Sequence, residues 1–146
     1  MMSRSLTLVL WVAMTLLVGC GKKPTPTSYA QAIHHYEAGE YALAIACFNR
    51  AAKEDPKNPA IYGNRGNCHS LLGDLPSALA DYDRAEALAL QFTGNPNDAR
   101  LAYIHYNRGA AYDHAGKVAE AIAAYEKALA TDPEYPDVKN TLAWIL

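Results

Sequence analysis

The chain has 146 residues, with 13 Lys or Arg against 15 Asp or Glu, and its net charge is −2 with histidine neutral. No basic stripe is present, so the composition disfavours a nucleic-acid-binding protein. Alanine is abundant and β-branched residues are scattered without a strand period, which predicts an all-α fold.

The first element is an apolar segment that indicates export. Residues 6–18 are apolar apart from two threonines, and Arg4 is the only charge before them. This length lies within the ~7–15 residues of a signal-peptide core and below the ~20 residues that span a bilayer. We therefore predict that the segment is a signal sequence and not part of the folded domain.

The end of this segment, Leu17-Val18-Gly19-Cys20, resembles the lipobox of bacterial lipoproteins. The resemblance implies a signal peptide over 1–19, a covalent lipid on Cys20, and a polar, proline-containing tether over 20–27. It also implies a lipid-anchored protein of the bacterial cell envelope. Gly21 after the cysteine points to the outer membrane, facing the periplasm, if the source is Gram-negative. A secretory peptide cut elsewhere and an uncleaved anchor are the alternatives.

After the tether, one pattern occurs three times. The pattern Gly-x-x-x-x-Ala-(Ile/Leu)-x-x-(Phe/Tyr)-x-x-Ala begins at Gly39, Gly73 and Gly116. The first two copies are 34 residues apart, which is the period of a helix–turn–helix solenoid unit. Such a unit buries its apolar face by stacking on a neighbour, so we expect a continuous array of units.

Glycine and proline divide this region into seven predicted helices. A glycine ends the first helix of each unit, and Asp55-Pro56 and Asp132-Pro133 end the second helices of the outer units. Ser28 is the predicted N-cap of the first helix. The predicted helices cover residues 28–38, 41–54, 59–72, 77–91, 96–115, 118–130 and 136–146.

These units resemble the tetratricopeptide repeat, and the third unit is the fullest match. It carries Asn107-Arg108-Gly109 and Tyr112 before its turn and Asp132-Pro133 at its end. The resemblance implies an α-solenoid with repeats over about 28–58, 59–95 and 96–135 and a capping helix over 136–146. Small residues would let the paired helices approach, while aromatic residues would fill the space between units. The small residues are Gly66, Ala78, Gly109 and Ala121, and the aromatic ones are Phe48, Tyr82 and Tyr125.

The spacing between the second and third units is irregular. Gly73 and Gly116 are 43 residues apart rather than 34, and the extra residues lie around 91–98. We expect lengthened helices and a protruding loop there. This loop is either a secondary contact site or the result of drift at a tolerant position.

The resemblance also implies a concave groove, lined by the first helices of the units, that holds a peptide segment of a partner protein. Helical spacing places tyrosine and polar side chains on this face. The predicted groove residues are Tyr29, Ile33, Tyr36, Asn64, Asn67, Ser70, Tyr103, Tyr106, Asn107, Asp113 and Asn140, with Trp144 as a further candidate. The tyrosines assigned to the core instead are Tyr41, Tyr62, Tyr82, Tyr112 and Tyr125.

Some tetratricopeptide domains clamp a C-terminal carboxylate with lysines and arginines in this groove. Here the corresponding faces carry Tyr29, Ile33 and Tyr103 where cations would be needed, although Asn64 matches the asparagine of the clamp. Arg65 and Arg108 lie beside the tight-packing glycines. We expect them to hold carbonyls or carboxylates of neighbouring helices rather than a ligand.

The sequence shows no nucleophile–base constellation, phosphate-binding loop or metal signature, so we predict neither an enzyme nor a metal site, and no cofactor beyond the lipid. The histidines are interpreted as residues of helix interfaces: His34, His35, His69, His105 and His114. The acidic pairs are expected on outer, solvated faces: Asp81 with Asp83, and Glu120 with Glu126. Cys47 and Cys68 form either a disulfide or two buried thiols.

These features predict a membrane-anchored scaffold or adaptor that presents its groove to another envelope protein. The most specific version of this prediction is an assembly accessory factor. Nucleic acid is not an expected partner. One alternative is a structural lipoprotein that self-associates through its end helices. The other is a metal-binding or enzymatic protein, which rests on the histidines alone.

Overall fold

The computed structural model describes residues 27–145, so the predicted signal peptide, Cys20 and most of the tether lie outside the described residues. This part of the chain contains helices and turns and no strand. The helices are α1 (Ser28–Glu37), α2 (Tyr41–Glu54), α3 (Pro59–Leu71), α4 (Leu75–Thr93), α5 (Ala99–His114), α6 (Val118–Thr131) and α7 (Pro136–Ile145).

Consecutive helices pack as antiparallel pairs, which makes the fold an α-solenoid. The pairs α1–α2, α3–α4 and α5–α6 make the most extensive contacts, and α3 also contacts α5 directly. α7 packs on α6 at the end of the stack, with Val138 fully buried. The predicted architecture of stacked helical hairpins with a C-terminal capping helix is confirmed.

The turns within the hairpins depend on glycine backbone geometry. Gly73 has φ of +80° and Gly116 has φ of +70°, a left-handed conformation that side chains disfavour. At each turn the next amide reaches back to the helix, as in Asp74 N to His69 O at 2.9 Å and Lys117 N to Tyr112 O at 2.9 Å. The repeated glycines therefore end the first helices as predicted.

Two other glycines allow the paired helices to approach. A Cβ added to Gly66 would lie 2.9 Å from Tyr82 Cε1, and one added to Gly109 would lie 2.6 Å from Tyr125 Cδ1 and Cε1. Each tyrosine thus lies on the glycine of its own unit rather than only between units. Tyr82 also belongs to an apolar cluster with Leu101 and Ile104 of the next unit. It therefore packs both within its own unit and between units.

The irregular spacing lengthens α4, as expected, but the predicted boundaries there are wrong. α4 begins at Leu75, because Asp74 caps it by accepting from Ser77 N at 3.2 Å, and it continues to Thr93 before Gly94 ends it. α5 begins at Ala99 because its N-cap is Asp98. The loop is therefore shorter than predicted and covers 94–98.

Smaller differences concern the other helix ends and the core tyrosines. Thr27, and not Ser28, caps α1, and α3 ends at Leu71, one residue before the predicted end. Tyr82 and Tyr125 are buried, as predicted. Tyr41, Tyr62 and Tyr112 are only half-buried. For Tyr62 the reason is that its hydroxyl donates to Pro56 O at 3.1 Å near the surface.

Cys47 and Cys68 are both buried and both free, which confirms the interpretation as two thiols rather than a disulfide. Burial raises the pKa of the Cys68 thiol to about 11, so this thiol stays protonated at neutral pH. Cys47 accepts a hydrogen bond from Arg50 Nη2 at 3.1 Å. The two side chains act as small core residues of the first two units.

Candidate binding groove

Hydrogen bonds between tyrosines and asparagines connect the first helices of the three units. Asn64 on α3 donates to the Tyr29 hydroxyl on α1 at 2.9 Å. Asn67, one turn further along α3, donates to the Tyr103 hydroxyl on α5 at 3.3 Å and accepts from the Tyr82 hydroxyl at 2.8 Å. α1, α3 and α5 therefore share one polar, aromatic face, and we call this face the groove.

The tyrosines of the groove carry no charge at neutral pH. Burial raises the pKa of Tyr29 and of Tyr36, and the neighbouring Tyr103 adds to the shift in both cases. Burial likewise raises the pKa of Tyr82 well above its usual value. Each of these phenols therefore keeps its proton. The hydroxyls of Tyr29 and Tyr36 can donate to a ligand, whereas the buried hydroxyl of Tyr82 donates to Asn67.

The remaining predicted groove residues differ in their exposure. Ile33 and Tyr36 are half-buried against the core of the first unit. Tyr106 is also half-buried, with its ring centroid 5.7 Å from that of Tyr125 and 5.6 Å from that of Tyr135. Tyr106 is thus committed to packing between α5, α6 and the residues before α7. Its predicted role in binding, like that of the other groove residues, stays a prediction.

A small cavity of about 110 Å³ lies at the end of the groove near the turns. Ser70 and Asn107 line it together with Tyr36 and Asn67. The Nδ2 of Asn107 is buried there and has no hydrogen-bond partner within the described residues. Asp113 and Asn140 are exposed, and the Trp144 side chain is 91% exposed on α7.

A larger cavity of about 430 Å³ lies between the N-terminal halves of α3 and α5. Sequence reasoning assigned Asn64 and Tyr103 to the groove but missed the other residues of this cavity. Its lining consists of Asn58, Pro59, Ala60, Gly63, Asn64, Arg100, Tyr103 and Ile104. One signal was present in the sequence: ten residues before the turn glycine, the outer units carry Tyr29 and Tyr106, whereas the middle unit carries Gly63.

Arginines next to the packing glycines hold carboxylates on neighbouring helices, which confirms their predicted structural role. Arg65 Nε donates to Asp81 Oδ2 at 2.8 Å, a second Arg65 nitrogen donates to Asp81 Oδ1, and Arg65 Nη1 donates to Asn49 Oδ1 at 2.7 Å. Asp81 is only 5% exposed, so the expectation that it lies on a solvated outer face is wrong. Its salt bridge with Arg65 compensates the loss of solvation.

A second ionic cluster connects α4, α5 and α6. Arg108 donates to Asp83 at 2.8 Å and to Glu86 at 3.0 Å, and Lys127 donates to Glu86 at 2.8 Å. His105 is 2% exposed, and its Nε2 lies 3.8 Å from Glu86 Oε1. Burial, and next the charge of Lys127, lower the pKa of His105 to about 4, so His105 is neutral at pH 7.

Neither a metal centre nor a membrane span is found in the described part of the chain. Between residues 27 and 145, no three His, Cys, Asp or Glu side chains are grouped so that they could hold a metal ion. No described helix combines the length and the apolar composition needed to cross a bilayer.

Comparison with known proteins identifies the repeats. A family model described as tetratricopeptide repeat matches residues 58–134, and a second model, described as TPR repeat, matches residues 34–73. The chain belongs to the tetratricopeptide repeat family. The matched residues include α3 to α6 in full and therefore both faces of the larger cavity.

The curated relatives share the repeats over part of their length. Human tetratricopeptide repeat protein 16 is 38% identical over 63 residues, which are 43% of this chain and 7% of that protein. The Hsp70-Hsp90 organizing protein of Triticum aestivum is 33% identical over 58 residues, which are 40% of this chain and 10% of that protein. The chain thus spans a small fraction of these relatives.

Solved structures match more of the fold. The first TPR domain of human RPAP3 superposes with a TM-score of 0.68 at 27% identity, covering 82% of this chain and 87% of that domain. The first TPR of Spaghetti (RPAP3), bound to the HSP90 peptide SRMEEVD, gives a TM-score of 0.66 at 27% identity, with 81% and 86% coverage. The chain therefore has the fold of a TPR domain.

Proposed function

We propose that this protein is a binding adaptor, not an enzyme, that holds a peptide segment of a partner in the groove formed by α1, α3 and α5. The observation that carries this proposal is the tyrosine–asparagine face shared by the three helices. Tyrosine rings provide large contact areas with a polar tip, and asparagine amides can bind a peptide backbone through both donor and acceptor. The adaptor needs no cofactor other than a covalent lipid.

The family supports a peptide as the ligand. A TPR domain of RPAP3 with the same fold is bound to a peptide of HSP90. In the present chain a peptide would cross the first helices in turn and meet Tyr29, Asn64 and Tyr103. The groove residues are already fixed by hydrogen bonds to one another, so their ordering adds little to the entropic cost of binding.

The proposed location is the periplasmic side of the bacterial outer membrane, with Cys20 carrying the lipid. The support for this part is the sequence Leu17-Val18-Gly19-Cys20 and the short tether after it. At roughly 3.3–3.6 Å per extended residue, the tether over 20–27 keeps the start of α1 within about 30 Å of the bilayer. The partner is then another envelope protein, and the adaptor serves its assembly or positioning.

Pull-down from native envelope extract followed by peptide mapping tests this proposal. The wild-type protein is used as bait and is compared with two variants. Asn67→Ala/Tyr103→Ala removes two groove side chains. The control variant, Leu43→Ala/Glu126→Ala, changes exposed residues of α2 and α6. Overlapping peptides of each captured protein are then titrated.

We expect one peptide to bind the wild type and the Leu43/Glu126 variant equally, and to bind the groove variant about tenfold more weakly. Equal affinity for all three proteins would refute a groove-bound peptide. Melting temperatures of the three baits provide the control for folding.

Self-association is the second candidate, and the exposed side chain of Trp144 on α7 favours it. If this face mediates assembly, the molar mass measured by light scattering should increase with concentration and become constant in Trp144→Ala. A mass that does not change with concentration would exclude this candidate.

A further inference from the structure

Gly63 is a glycine whose presence the fold does not require. It lies in the interior of α3 and is buried, yet a Cβ added to it would meet no atom within 4 Å beyond its own stretch of helix. Its φ is not in the left-handed region, so no turn demands it. Because a glycine in a helix interior destabilises the helix relative to alanine, this position lowers stability without a packing reason.

The contrast with Gly66, one turn further along the same helix, is direct. A Cβ at Gly66 would lie 2.9 Å from Tyr82 Cε1 and 3.2 Å from the backbone oxygen of Ala78. Gly66 is therefore needed for helix packing. The space next to Gly63 is instead the larger cavity of about 430 Å³, within the ~300–1,000 Å³ typical of ligand pockets.

Gly63 also interrupts a row of tyrosines. The equivalent positions of the first and third units carry Tyr29 and Tyr106, and both rings are half-buried against the core of their units. A tyrosine at position 63 would occupy the cavity. The glycine in the middle unit therefore leaves a socket open between α3 and α5, at a position that tyrosine occupies in the other two units. We call this cavity the Gly63 socket.

The walls of the Gly63 socket are apolar on most sides and polar at one edge. Pro59, Ala60 and Ile104 supply apolar surface. Asn64 uses one N–H to reach Tyr29, and its Oδ1 accepts no hydrogen bond from the described residues. The Tyr103 ring is partly exposed at the same edge. The socket thus combines room for an apolar side chain with groups that bind an amide.

The described lining of the socket has no unpaired Lys or Arg that could bind an acidic ligand. Arg100 is the one Lys or Arg in its described lining. Its Nε and Nη2 each donate to Asp98 at 2.9 Å, and its guanidinium lies 5.2 Å from the centre of the Phe92 ring. The Arg100 charge is thus already compensated. A free carboxylate in the socket would lose its solvation without gaining an unpaired cation.

We propose that the Gly63 socket binds one bulky apolar side chain, aromatic or leucine, from an uncharged segment of the partner protein. Asn64 and Tyr103 bind the backbone amides on either side of this anchor residue. This inference rests on the proposed peptide-binding function and specifies the chemistry of the peptide. It distinguishes the groove from one that takes an acidic tail such as SRMEEVD, the peptide bound by the RPAP3 domain.

Blocked amino acids test the socket without knowledge of the partner. The full chain is reconstituted in phospholipid nanodiscs with isotope-labelled isoleucine methyl groups, and N-acetyl-tryptophanamide, N-acetyl-leucinamide and N-acetyl-aspartic acid amide are titrated separately. Ile104 reports on the socket, and Ile122 on α6 is the internal control. We expect saturable shifts of Ile104 with the tryptophan and leucine probes and none with the aspartate probe.

Two variants of one position provide the matched comparison. Gly63→Leu should fill the socket and weaken the tryptophan probe by about tenfold or more. Gly63→Ala should have a smaller effect on binding, and it should not lower the melting temperature, since its Cβ meets open space. An Ile104 methyl that does not respond to any probe, or responds equally in wild type and Gly63→Leu, would overturn the proposal.

The remaining outcomes separate this inference from the proposed function. If Gly63→Leu captures the partner as well as wild type while Asn67→Ala/Tyr103→Ala does not, peptide binding in the groove is supported and the anchor residue in the Gly63 socket is refuted. If 3-methylindole, which has no amide groups, binds as tightly as N-acetyl-tryptophanamide, the backbone contacts are wrong. The socket would then be a site for a small apolar molecule.

Discussion

A single methyl group added to Gly109 should destabilise the protein, whereas the same methyl group added to Gly63 should not. At Gly109 the new Cβ would lie 2.6 Å from two carbons of the Tyr125 ring and 3.0 Å from a third. Ordinary contacts between carbons are about 3.5–4.0 Å, so the ring would have to move by roughly 1 Å. Tyr125 is 2% exposed and packs against Tyr106, which leaves little space for this movement.

The difference between the two variants isolates the packing cost. Both substitutions gain the same helix propensity of about 1 kcal/mol, so this gain cancels in the comparison. Overpacking a well-filled core costs typically about 1–3 kcal/mol. For a domain of this size, with roughly 4 °C per kcal/mol, Gly109→Ala should melt about 4–12 °C below Gly63→Ala.

Thermal unfolding followed by circular dichroism measures this difference, and urea unfolding provides the free energies. Gly63→Ala should be at least as stable as wild type, and Gly109→Ala should be less stable than Gly63→Ala. Equal melting temperatures of the two variants would refute the argument that Gly109 is required by the contact with Tyr125. A loss of stability in Gly63→Ala would refute the open space beside that residue.

Three further predictions concern ionisable side chains and the lipid on Cys20. Arg65→Met removes the guanidinium partner of the buried Asp81 carboxylate, which keeps only His69 Nε2 at 4.0 Å, and should cost about 3–5 kcal/mol in urea unfolding. Most of this loss should be recovered in Arg65→Met/Asp81→Leu. The pKa of His105 is about 4 in the folded protein and near 6.5 in the unfolded chain. The free energy of unfolding should therefore fall as the pH drops from about 6.5 towards 4, by about 2 kcal/mol at pH 5. His105→Gln should lack this contribution. Cys20→Ser should move the protein from the membrane fraction to the soluble fraction, with loss of the lipid mass.

Each of these predictions has an outcome that would contradict it. A double variant as unstable as Arg65→Met alone would mean that the lost hydrogen bond to Asn49 outweighs the unpaired Asp81. Parallel pH profiles of wild type and His105→Gln between pH 5 and 7.5 would show that folding does not lower the pKa of His105. Retention of Cys20→Ser in the membrane would argue for an uncleaved anchor.

The groove was predictable in part from repeat spacing. Helical periodicity assigned Tyr29, Asn64, Asn67 and Tyr103 to one face, and the structure connects these side chains by hydrogen bonds. The sequence did not reveal the cavity between α3 and α5, because empty space depends on the distance between two helices that are far apart in the chain. The glycine at position 63 was a signal, but its meaning required knowledge of its surroundings.

The sequence by itself determined the order of the helices and the stacking of their pairs, because these follow from local geometry. A glycine in the left-handed conformation ends a helix, and regular spacing of small and aromatic residues fixes which faces meet. Only the tertiary structure decided that Asp81 is buried and that Gly63 borders a cavity. Burial and cavity volume depend on how side chains from several helices pack together, and a local sequence pattern does not specify that packing.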